Sequence, residues 1–398
     1  MINEKMVQAA NNNSAVREMF EEGNRLKAIY GPENVFDFSI GNPYFPAPES
    51  VKTAAIDILT TMEPNAIHGY MSNDGFPAVR QTIAEYINET FGDNITGDNI
   101  IMTVGAAGGL NIILKVVLNP GDEVLVPAPY FLEYGHYVGN YGGVLVPVDS
   151  KEEDGFMLDT DAIAKAITPK TKAMIINNPN NPTGVIYPAD VIERLAAVLE
   201  ARQQEYGTSI YLISDEPYRE LAFDGAEVVY LPKYYRNTIV GYSWSKSLSL
   251  PGERIGYLEI PSRVDDYEVL RPAASICGRI LGFVNAPALF QLVVQRCIRE
   301  SCDIAAYDAN RKLLYEGLTE LGYSCAKPEG AFYLWLKSPA TDEKEFVAEA
   351  KKHNILFVPG TSFKCPGYVR VAYCVSPDTI KGSMKGFAAM AETYGLKK

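Results

Sequence analysis

The chain has 398 residues, of which 47% are hydrophobic and 21% charged, and its formal net charge is −13. This composition is typical of a soluble globular protein and excludes a disordered chain, a collagen-like chain and a small disulfide-stapled domain. The negative charge also disfavours nucleic acid and anionic membranes as partners, because both would repel the chain. The length predicts about two or three domains.

The six cysteines and three histidines show no pattern of a metal site or a disulfide framework. All the cysteines lie in the C-terminal third and none is spaced as Cys-x-x-Cys, so we expect reduced thiols, no metal and a cytoplasmic protein. The first residues, MINEKMVQAANNNS, lack the apolar segment of a secretory signal. The sequence also has no apolar run of the length that spans a membrane.

Helical and extended segments alternate through the middle of the chain. The spacing of apolar residues predicts helices at 76–90, 106–118 and 188–206. It predicts short buried strands at 99–104, 123–126, 143–148, 173–176, 209–214 and 238–243. Short apolar strands separated by helices are typical of a parallel sheet covered on both faces. We therefore predict an α/β domain from about residue 50 to residue 285.

The two ends of the chain follow an α+β pattern. Helices are predicted at 14–30, 288–321 (with a break near Asp303), 342–353 and 378–393. Strands are predicted at 331–336, 355–358 and 369–373. We assign residues 1–49 to an N-terminal segment and part of a small domain, 50–285 to the large domain and 286–398 to the C-terminal small domain. This division depends partly on the family resemblance described below.

Two segments in the first half of the chain have the composition of ligand-binding loops. Residues 105–108, GAAG, join a strand to a helix, where small side chains let an anion approach free backbone N–H groups. The alternative is a tight turn that needs small residues. Residues 177–184, NNPNNPTG, follow a strand and form a loop stiffened by prolines and rich in amides. The alternative is an ordinary surface turn.

Three further segments contribute charged side chains. Asp215, in SDEPY, follows a strand and can hold a positive charge in a site or cap a helix. Lys246, in SWSKSLS, lies among small hydroxyl residues and is a candidate Schiff-base lysine or an exposed loop residue, and Arg254 follows as a candidate phosphate ligand. Arg370, in YVRVA, needs a carboxylate from the protein or from a substrate.

Together these segments describe a phosphate cradle, an acid for a cationic nitrogen, a Schiff-base lysine and an arginine for a carboxylate. That set of groups matches pyridoxal phosphate with an amino acid as its substrate. The segments NPNNPTG, SDEPY, SxSK-x7-R and the late arginine, in this order and spacing, resemble the class I/II pyridoxal-phosphate-dependent aminotransferases, which have the aspartate aminotransferase fold. The resemblance runs from SIGNP at residues 39–43 to Arg370.

The resemblance implies a fold, an activity and an assembly. The expected fold is α/β, with a mostly parallel seven-stranded-type sheet covered by helices and a smaller α+β domain from both chain ends. The expected activity is transfer of an amino group between an L-amino acid and a 2-oxo acid with pyridoxal 5′-phosphate, by ping-pong kinetics. The expected assembly is a homodimer with composite active sites.

The resemblance also implies the catalytic groups. Lys246 is implied to form the Schiff base with the cofactor and to move the substrate Cα proton. Asp215 is implied to keep the pyridine nitrogen protonated, and Asn181 and Tyr218 to contact the phenolic oxygen of the ring. The peptide bond between Asn181 and Pro182 is expected to be cis.

Further contacts to the cofactor follow from the resemblance. The phosphate is expected to bind the backbone of the Gly105-Ala106-Ala107 turn, Ser243 and Arg254. Tyr70 matches a tyrosine that reaches the phosphate in the neighbouring subunit. Phe131 is expected to stack on the ring, with the adjacent Tyr130 as a rival for that position.

The substrate is the least determined part of the resemblance. Gly41 and Arg370 are implied to bind the α-carboxylate, together with Asn181. In one bacterial branch of aspartate aminotransferases a lysine after the phosphate-loop glycines binds the distal carboxylate, and here that position is Ala107. The alternative is that an arginine or lysine from the N-terminal segment 13–30 or from the other subunit replaces it. The aromatic residues of the segment 130–137 fit a neutral or aromatic substrate, or they are ordinary packing.

Other functions remain open at this point. The same fold hosts β-lyases, decarboxylases and synthases, since the cofactor stabilises whichever bond breaks. A DNA-binding regulator with this domain is disfavoured, because the catalytic pattern starts within the first 40 residues and the chain is acidic. A dinucleotide-binding enzyme is disfavoured because its glycine fingerprint is missing.

Overall fold

A computed structural model of the chain describes residues 2, 4–11 and 15–396. The strands are β1 (Phe36–Asp37), β2 (Ile100–Thr103), β3 (Glu123–Ala128), β4 (Val144–Asp149), β5 (Thr171–Asn177), β6 (Tyr211–Asp215), β7 (Thr238–Ser243), β8 (Gly256–Glu259), β9 (Tyr333–Lys337), β10 (Ile355–Leu356), β11 (Val358–Pro359) and β12 (Tyr368–Ala372). The α-helices are α1 (Glu4–Asn11), α2 (Ala15–Tyr30), α3 (Glu49–Thr61), α4 (Pro64–His68), α5 (Pro77–Phe91), α6 (Gly105–Val117), α7 (Glu133–Gly139), α8 (Thr160–Ala166), α9 (Ala189–Tyr206), α10 (Trp244–Ser247), α11 (Tyr267–Ile280), α12 (Ala288–Arg296), α13 (Ile304–Glu320), α14 (Glu343–Lys352) and α15 (Pro377–Thr393).

A seven-stranded sheet forms the centre of the molecule, with strand order β2-β8-β7-β6-β5-β3-β4. Strand β8 runs antiparallel to both β2 and β7, and the other neighbouring pairs are parallel. The predicted fold class, a mostly parallel seven-stranded sheet covered by helices, is therefore confirmed.

The strands are apolar throughout because both faces of this sheet are covered. Successive side chains of a strand point to opposite faces. Val124 and Val126 pack with α6, α7 and α11, whereas Leu125 between them packs with α8 and α9 on the other face. The same alternation places Ile101 on the first face and Met102 against α3, α5 and α12.

A second, smaller core joins the two ends of the chain. Strand β1 pairs in parallel with β10, and β9, β12 and β11 form an antiparallel sheet. Leu26 and Phe38 from the N-terminal part share one apolar cluster with Phe346 and Phe387 from the C-terminal part. By contrast, α12 packs against α3 and α5, two helices that cover one face of the central sheet.

Several predicted elements differ from the observed ones. The predicted helix 288–321 consists of α12 and α13, and the break is confirmed at Asp303, whose side chain accepts a hydrogen bond from Ala306 N at 2.9 Å. The predicted strand 355–358 is interrupted, because β10 and β11 pair with different partners. The predicted helix 14–30 is α2, and its residue 14 lies outside the described residues. Strands β1 and β8 and several helices, among them α3, α8 and α11, lie outside the predicted elements.

The fold brings chain segments far apart in sequence to one edge of the sheet. Strands β5, β6 and β7 are parallel neighbours, and they end at Asn177, Asp215 and Ser243. Ligands of open α/β sheets bind at this carboxyl edge. In the part of the chain that the structure describes, no helix is long and apolar enough to cross a membrane.

Candidate active site

A cavity of about 400 Å³ opens at the carboxyl edge of the central sheet. It collects most of the site residues predicted from the sequence, namely Gly41, Ala106, Ala107, Phe131, Asn181, Asp215, Tyr218, Ser243, Lys246, Arg254 and Arg370. Gly105 lies beside it as the first residue of α6. Tyr70 is the exception, because its side chain is 98% exposed and lines a different surface depression.

Asp215 supplies a buried carboxyl group with one oxygen free. Its Oδ2 accepts a hydrogen bond from Tyr134 Oη at 2.6 Å, and its Oδ1 has no hydrogen-bond partner. Burial raises the pKa of Asp215 to about 7. The Tyr134 hydrogen bond opposes this rise, and the charge of Glu216 adds to it. A buried carboxyl with an unpaired oxygen is positioned to hold a cation or an N–H donor.

The asparagine-rich loop is held against the end of β6. Asn177 Nδ2 donates to the Asp215 carbonyl at 2.9 Å, and the Asn177 side-chain oxygen accepts a hydrogen bond from the backbone N of Asn181 at 2.7 Å. The Asn181–Pro182 bond is cis, as predicted, and so are Asn178–Pro179 and Ala128–Pro129. These contacts present the Asn181 side chain to the cavity.

Lys246 places an amine in the middle of the cavity. It lies on the single turn α10, whose start is capped by the Ser243 side chain accepting from Ser245 N at 3.2 Å. Its Nζ donates a hydrogen bond to the carbonyl oxygen of Gly41. Burial lowers the pKa of Lys246 to about 8, with a smaller opposing effect of Cys374 and smaller lowering effects of the Arg370 and Arg254 charges. An amine with a lowered pKa is a better nucleophile and proton acceptor near neutral pH.

The first turn of α6 and Arg254 form an anion cradle. Gly105 has φ +75°, and a Cβ there would lie 2.9 Å from Arg254 Nη2, so glycine is required for this approach. Arg254 Nη2 donates to the Val104 carbonyl at 3.4 Å, beside the free N–H groups of the helix start. The helix dipole and the guanidinium both favour a bound anion.

Arg370 is a buried cation without a carboxylate partner. It is 4% exposed, and its guanidinium donates to Asn181 Oδ1 at 3.0 Å and to the Ser39 carbonyl at 2.8 Å. Its Nε has no partner, and it forms no ion pair with any residue that the structure describes. The rings of Tyr333 and Phe363 lie 4.4 and 4.8 Å from the guanidinium carbon. Such a group is positioned to bind the carboxylate of a ligand.

Tyr218 is held by a tyrosine that sequence reasoning missed. The hydroxyl groups of Tyr218 and Tyr333 are 3.0 Å apart, and burial raises the pKa of Tyr218 well above its ordinary value. A Cβ on Gly41 would lie 1.9 Å from the Tyr333 hydroxyl, so only glycine fits at that position. The hydroxyl pair therefore stays protonated and faces the cavity as a hydrogen-bond donor.

The remaining corrections concern the aromatic segment before α7. Phe131 lines the cavity, whereas the rival Tyr130 is 5% exposed and does not line it. The aromatic segment predicts a substrate contact or packing for Tyr134, but the Tyr134 hydroxyl is the hydrogen-bond donor to Asp215. Nothing in its local sequence indicates that role, because the two residues are 81 positions apart. Tyr137, which belongs to the aromatic segment that fits a substrate or ordinary packing, also lines the cavity, and so does Glu133, which the sequence does not indicate.

Comparison with known proteins agrees with this geometry. The sequence model of "Aminotransferase class I and II" matches residues 33–385. The aspartate/prephenate aminotransferase of Thermus thermophilus is 35% identical, with 87% of this chain and 89% of that protein covered. The solved structure of an amino transferase from Eubacterium rectale matches with a TM-score of 0.96 at 45% identity, covering 99% of both chains. The Thermus thermophilus aspartate aminotransferase solved with maleate matches with a TM-score of 0.84 at 30% identity, covering 95% of this chain and 97% of that chain.

Proposed function

This chain belongs to the class I and II aminotransferases, and we propose that its cavity binds pyridoxal 5′-phosphate, the cofactor of that family, through the residues predicted from the sequence. The protein is thus an aminotransferase that moves an amino group between an L-amino acid and a 2-oxo acid. The observation that carries the assignment of the site is that one cavity contains the Lys246 amine, the free Asp215 oxygen and the first turn of α6.

The cofactor would be held by three groups of residues. Its phosphate would bind the backbone of Ala106 and Ala107, together with Ser243 and Arg254, where helix dipole and guanidinium favour an anion. Its pyridine nitrogen would face Asp215, since a protonated nitrogen satisfies the oxygen that has no partner in the protein. Lys246 would make the covalent link to the cofactor aldehyde.

The ring itself would be contacted from its face and from its phenolic edge. Phe131 would stack on the face, and Asn181 and Tyr218 would donate to the phenolic oxygen. Tyr134 would act on the cofactor through Asp215, because its hydrogen bond stabilises the ionised carboxylate that pairs with the ring nitrogen. Together these contacts would fix the ring in one orientation.

The substrate α-carboxylate would bind Arg370, Asn181 and Gly41. Two hydrogen bonds and two aromatic rings of the protein itself position the Arg370 guanidinium. A carboxylate paired with its guanidinium fixes the direction of the Cα–H bond, and that orientation lowers the barrier for proton transfer.

Lys246 would carry the proton during the reaction. When bound, pyridoxal phosphate supplies an electron sink for the pair left at Cα when its proton is removed. The lowered pKa of Lys246 makes its Nζ neutral at mildly alkaline pH, so it could accept the Cα proton and then donate a proton to the carbon of the former cofactor aldehyde. Donor and acceptor would use the same cavity in turn, which gives ping-pong kinetics.

The test is the visible absorption spectrum of the purified protein with pyridoxal phosphate. We expect a cofactor band that Lys246→Ala abolishes and that the exposed Lys344→Ala leaves unchanged. An amino acid added without a 2-oxo acid should change the band and release its own 2-oxo acid. A protein without a band, or with a band that Lys246→Ala retains unchanged, would refute the cofactor assignment. Ammonia or CO₂ as the product would instead indicate a lyase or decarboxylase.

We also propose a homodimer in which Tyr70 completes the phosphate site of the second copy. Tyr70 is exposed and does not reach the cavity of its own chain, which supports a role outside that chain. Mixing Tyr70→Ala with Lys246→Ala protein tests this, because a hybrid has one site with both residues intact. Activity restored by refolding the two variants together supports the composite site, and no gain over the separate variants counts against it.

The predicted division into a large cofactor-binding part (50–285) and a small part from both chain ends also stays a proposal. We propose one change to it, a second boundary after α12 rather than at residue 285, because α12 packs against α3 and α5. The pairing of β1 with β10 supports a small part built from both ends. We propose a cytoplasmic location, since the cysteines are free thiols in the described structure.

A further inference from the structure

The backbone that leads from β1 to the cavity contacts Arg370 at Ser39, a fully buried residue two positions before Gly41. The Ser39 carbonyl oxygen accepts a hydrogen bond from Arg370 Nη2 at 2.8 Å. This is one of the two hydrogen bonds that hold the guanidinium, and the other acceptor is the side chain of Asn181. The direction of the guanidinium therefore depends on where the Ser39 carbonyl lies.

Asp37, the last residue of β1, fixes the other polar atoms of Ser39. Its Oδ1 accepts one hydrogen bond from Ser39 Oγ at 2.6 Å and another from the Ser39 backbone N at 3.1 Å. Between them, the backbone of Phe38 donates to the Leu356 carbonyl at 2.8 Å and accepts from Ala372 N at 2.9 Å. Ser39 is thus anchored from the Asp37 side chain as well as from the neighbouring strands.

The Asp37 carboxylate is itself held in place by α2. Its Oδ2 accepts a hydrogen bond from Lys27 Nζ at 3.2 Å, and only 11% of the Asp37 side chain is exposed. A Cβ on Gly23, one helical turn before Lys27, would lie 2.8 Å from that same oxygen, so the helix backbone packs closely against the carboxylate. With Lys27 as its cationic partner, Asp37 leaves the Arg370 guanidinium free to pair with a ligand.

We propose that Asp37 is a positioning residue that acts through Ser39 on the direction of the Arg370 guanidinium. The inference rests on the proposed function, because it takes the substrate α-carboxylate to bind Arg370. Asp37 does not line the cavity, so it acts without touching substrate or cofactor. A carboxylate pairs with a guanidinium through two N–H groups that point in fixed directions, so the alignment of the donor affects how well a substrate is held.

A purely structural role for Asp37 makes a different prediction. An aspartate side chain that accepts a hydrogen bond from the backbone two residues later is a common turn device. In that case Asp37 would contribute to the free energy of unfolding alone, and the folded holoenzyme would react as wild type does. Asp308 is the matched control, because it is also a partly buried aspartate, pairs with Lys312 at 2.6 Å and does not line the cavity.

The experiment measures the donor half-reaction of the holoenzyme by stopped-flow absorption, with the common L-amino acid that changes the wild-type cofactor band fastest. Asp37→Ala should lower kcat/KM about tenfold, the effect of misaligning one charge-assisted hydrogen bond. Asp37→Asn keeps an oxygen acceptor for Ser39 and should stay within about threefold of wild type. Both variants should bind pyridoxal phosphate with wild-type affinity. Asp308→Ala should lower the melting temperature and leave kcat/KM unchanged.

A double-mutant cycle with Arg370→Lys identifies the group through which Asp37 acts. The donors of an ammonium group rotate and need no planar alignment, so in that background Asp37→Ala should lower kcat/KM by less than about threefold. If Asp37→Ala does not fold, Ser39→Ala takes its place in the cycle. It deletes only the 2.6 Å bond and should lower kcat/KM about threefold with Arg370 present, and by a smaller factor with Arg370→Lys.

Three outcomes would overturn the proposal. The first is a wild-type kcat/KM in the folded variant, and the second is a loss of the same size in both Arg370 backgrounds. The third is a loss accompanied by an equal weakening of cofactor binding, which would indicate a general distortion of the cavity. Failure of the proposed function is distinct from all three, because then no amino acid would change the cofactor band of the wild-type protein.

Discussion

Replacing Arg370 by lysine tests how the cavity holds the α-carboxylate of a substrate. The substitution keeps the positive charge but replaces a planar fork of N–H donors by a single ammonium group. In the structure the guanidinium is held by Asn181 Oδ1 at 3.0 Å and the Ser39 carbonyl at 2.8 Å, between the rings of Tyr333 and Phe363. A lysine cannot keep both hydrogen bonds and also pair with a carboxylate through two N–H groups.

The magnitude follows from the hydrogen bonds lost. A hydrogen bond to a charged group contributes about 1.5–3 kcal/mol, and the variant loses one or two of them in the complex. The loss of about 1.5–6 kcal/mol corresponds to a fall in kcat/KM of about tenfold to more than 10,000-fold. Because the α-carboxylate is common to every amino acid, the fall should have a similar size for all donors.

The assay is the change of the cofactor band on mixing the holoenzyme with increasing concentrations of one amino acid in a stopped-flow instrument. Arg311→Lys is the matched control, because the Arg311 side chain is 1% exposed but pairs with Asp308 at 2.6 Å and Asp224 at 2.9 Å, outside the cavity. It should lower the melting temperature and leave kcat/KM close to wild type. An Arg370→Lys enzyme that binds cofactor and keeps kcat/KM within about threefold of wild type would refute this reasoning.

Three further predictions concern the cofactor site. Burial keeps Asp215 protonated up to a pKa of about 7 in the folded protein, against an ordinary value of 3.8, so the cofactor-free protein should lose stability as the pH rises through this window. The variant Asp215→Asn should not show this loss. In urea unfolding, its free energy of unfolding relative to wild type should therefore increase between about pH 4 and pH 7. A difference in unfolding free energy that stays constant over this pH range would contradict the prediction. The rate at which cofactor-free protein acquires the cofactor band should rise with pH and level off above about pH 8, where the Lys246 amine is neutral. A rise that continues past pH 10 would indicate that Lys246 has the ordinary pKa of a lysine. Gly105→Ala should weaken cofactor binding more than tenfold, because the new Cβ would lie 2.9 Å from Arg254 Nη2. The control is Gly121→Ala, which has a positive φ but no atom within 4 Å of its Cβ, and it should lower stability alone. Equal cofactor affinities of the two variants would argue against the anion cradle.

Much of the fold could be predicted from local patterns. Short apolar strands alternating with amphipathic helices indicate a covered parallel sheet, and the central sheet has that form. The small unpredicted strand β8, Gly-Tyr-Leu-Glu, lies antiparallel between β2 and β7, and it has only two apolar residues in a row. Helix α11 contains Pro272, a residue that normally indicates the end of a helix.

The candidate site could be predicted because its chemistry depends on unusual residues in short segments. A lysine among serines, an acid at a strand end and an arginine within an apolar strand stand out without knowledge of the fold. The aromatic positions were harder to assign, because Tyr130 and Phe131 are adjacent and similar in size. Their directions relative to the cavity depend on how the segment before α7 packs, and only the structure shows Phe131 at the cavity.

The sequence by itself determined the sheet class, most of the elements and the residue types on which the proposed site depends, because these follow from residue type and from periodicity over a few positions. The tertiary structure decided which distant residues meet. Asp215 and Tyr134 are 81 positions apart, and Arg370 and Asn181 are 189 apart. Strands buried on both faces share one apolar pattern, so their order in the sheet is set by packing and chain connection rather than by their own sequences. The unpaired Asp215 oxygen likewise became visible only in the folded chain, because it depends on which groups surround that carboxyl.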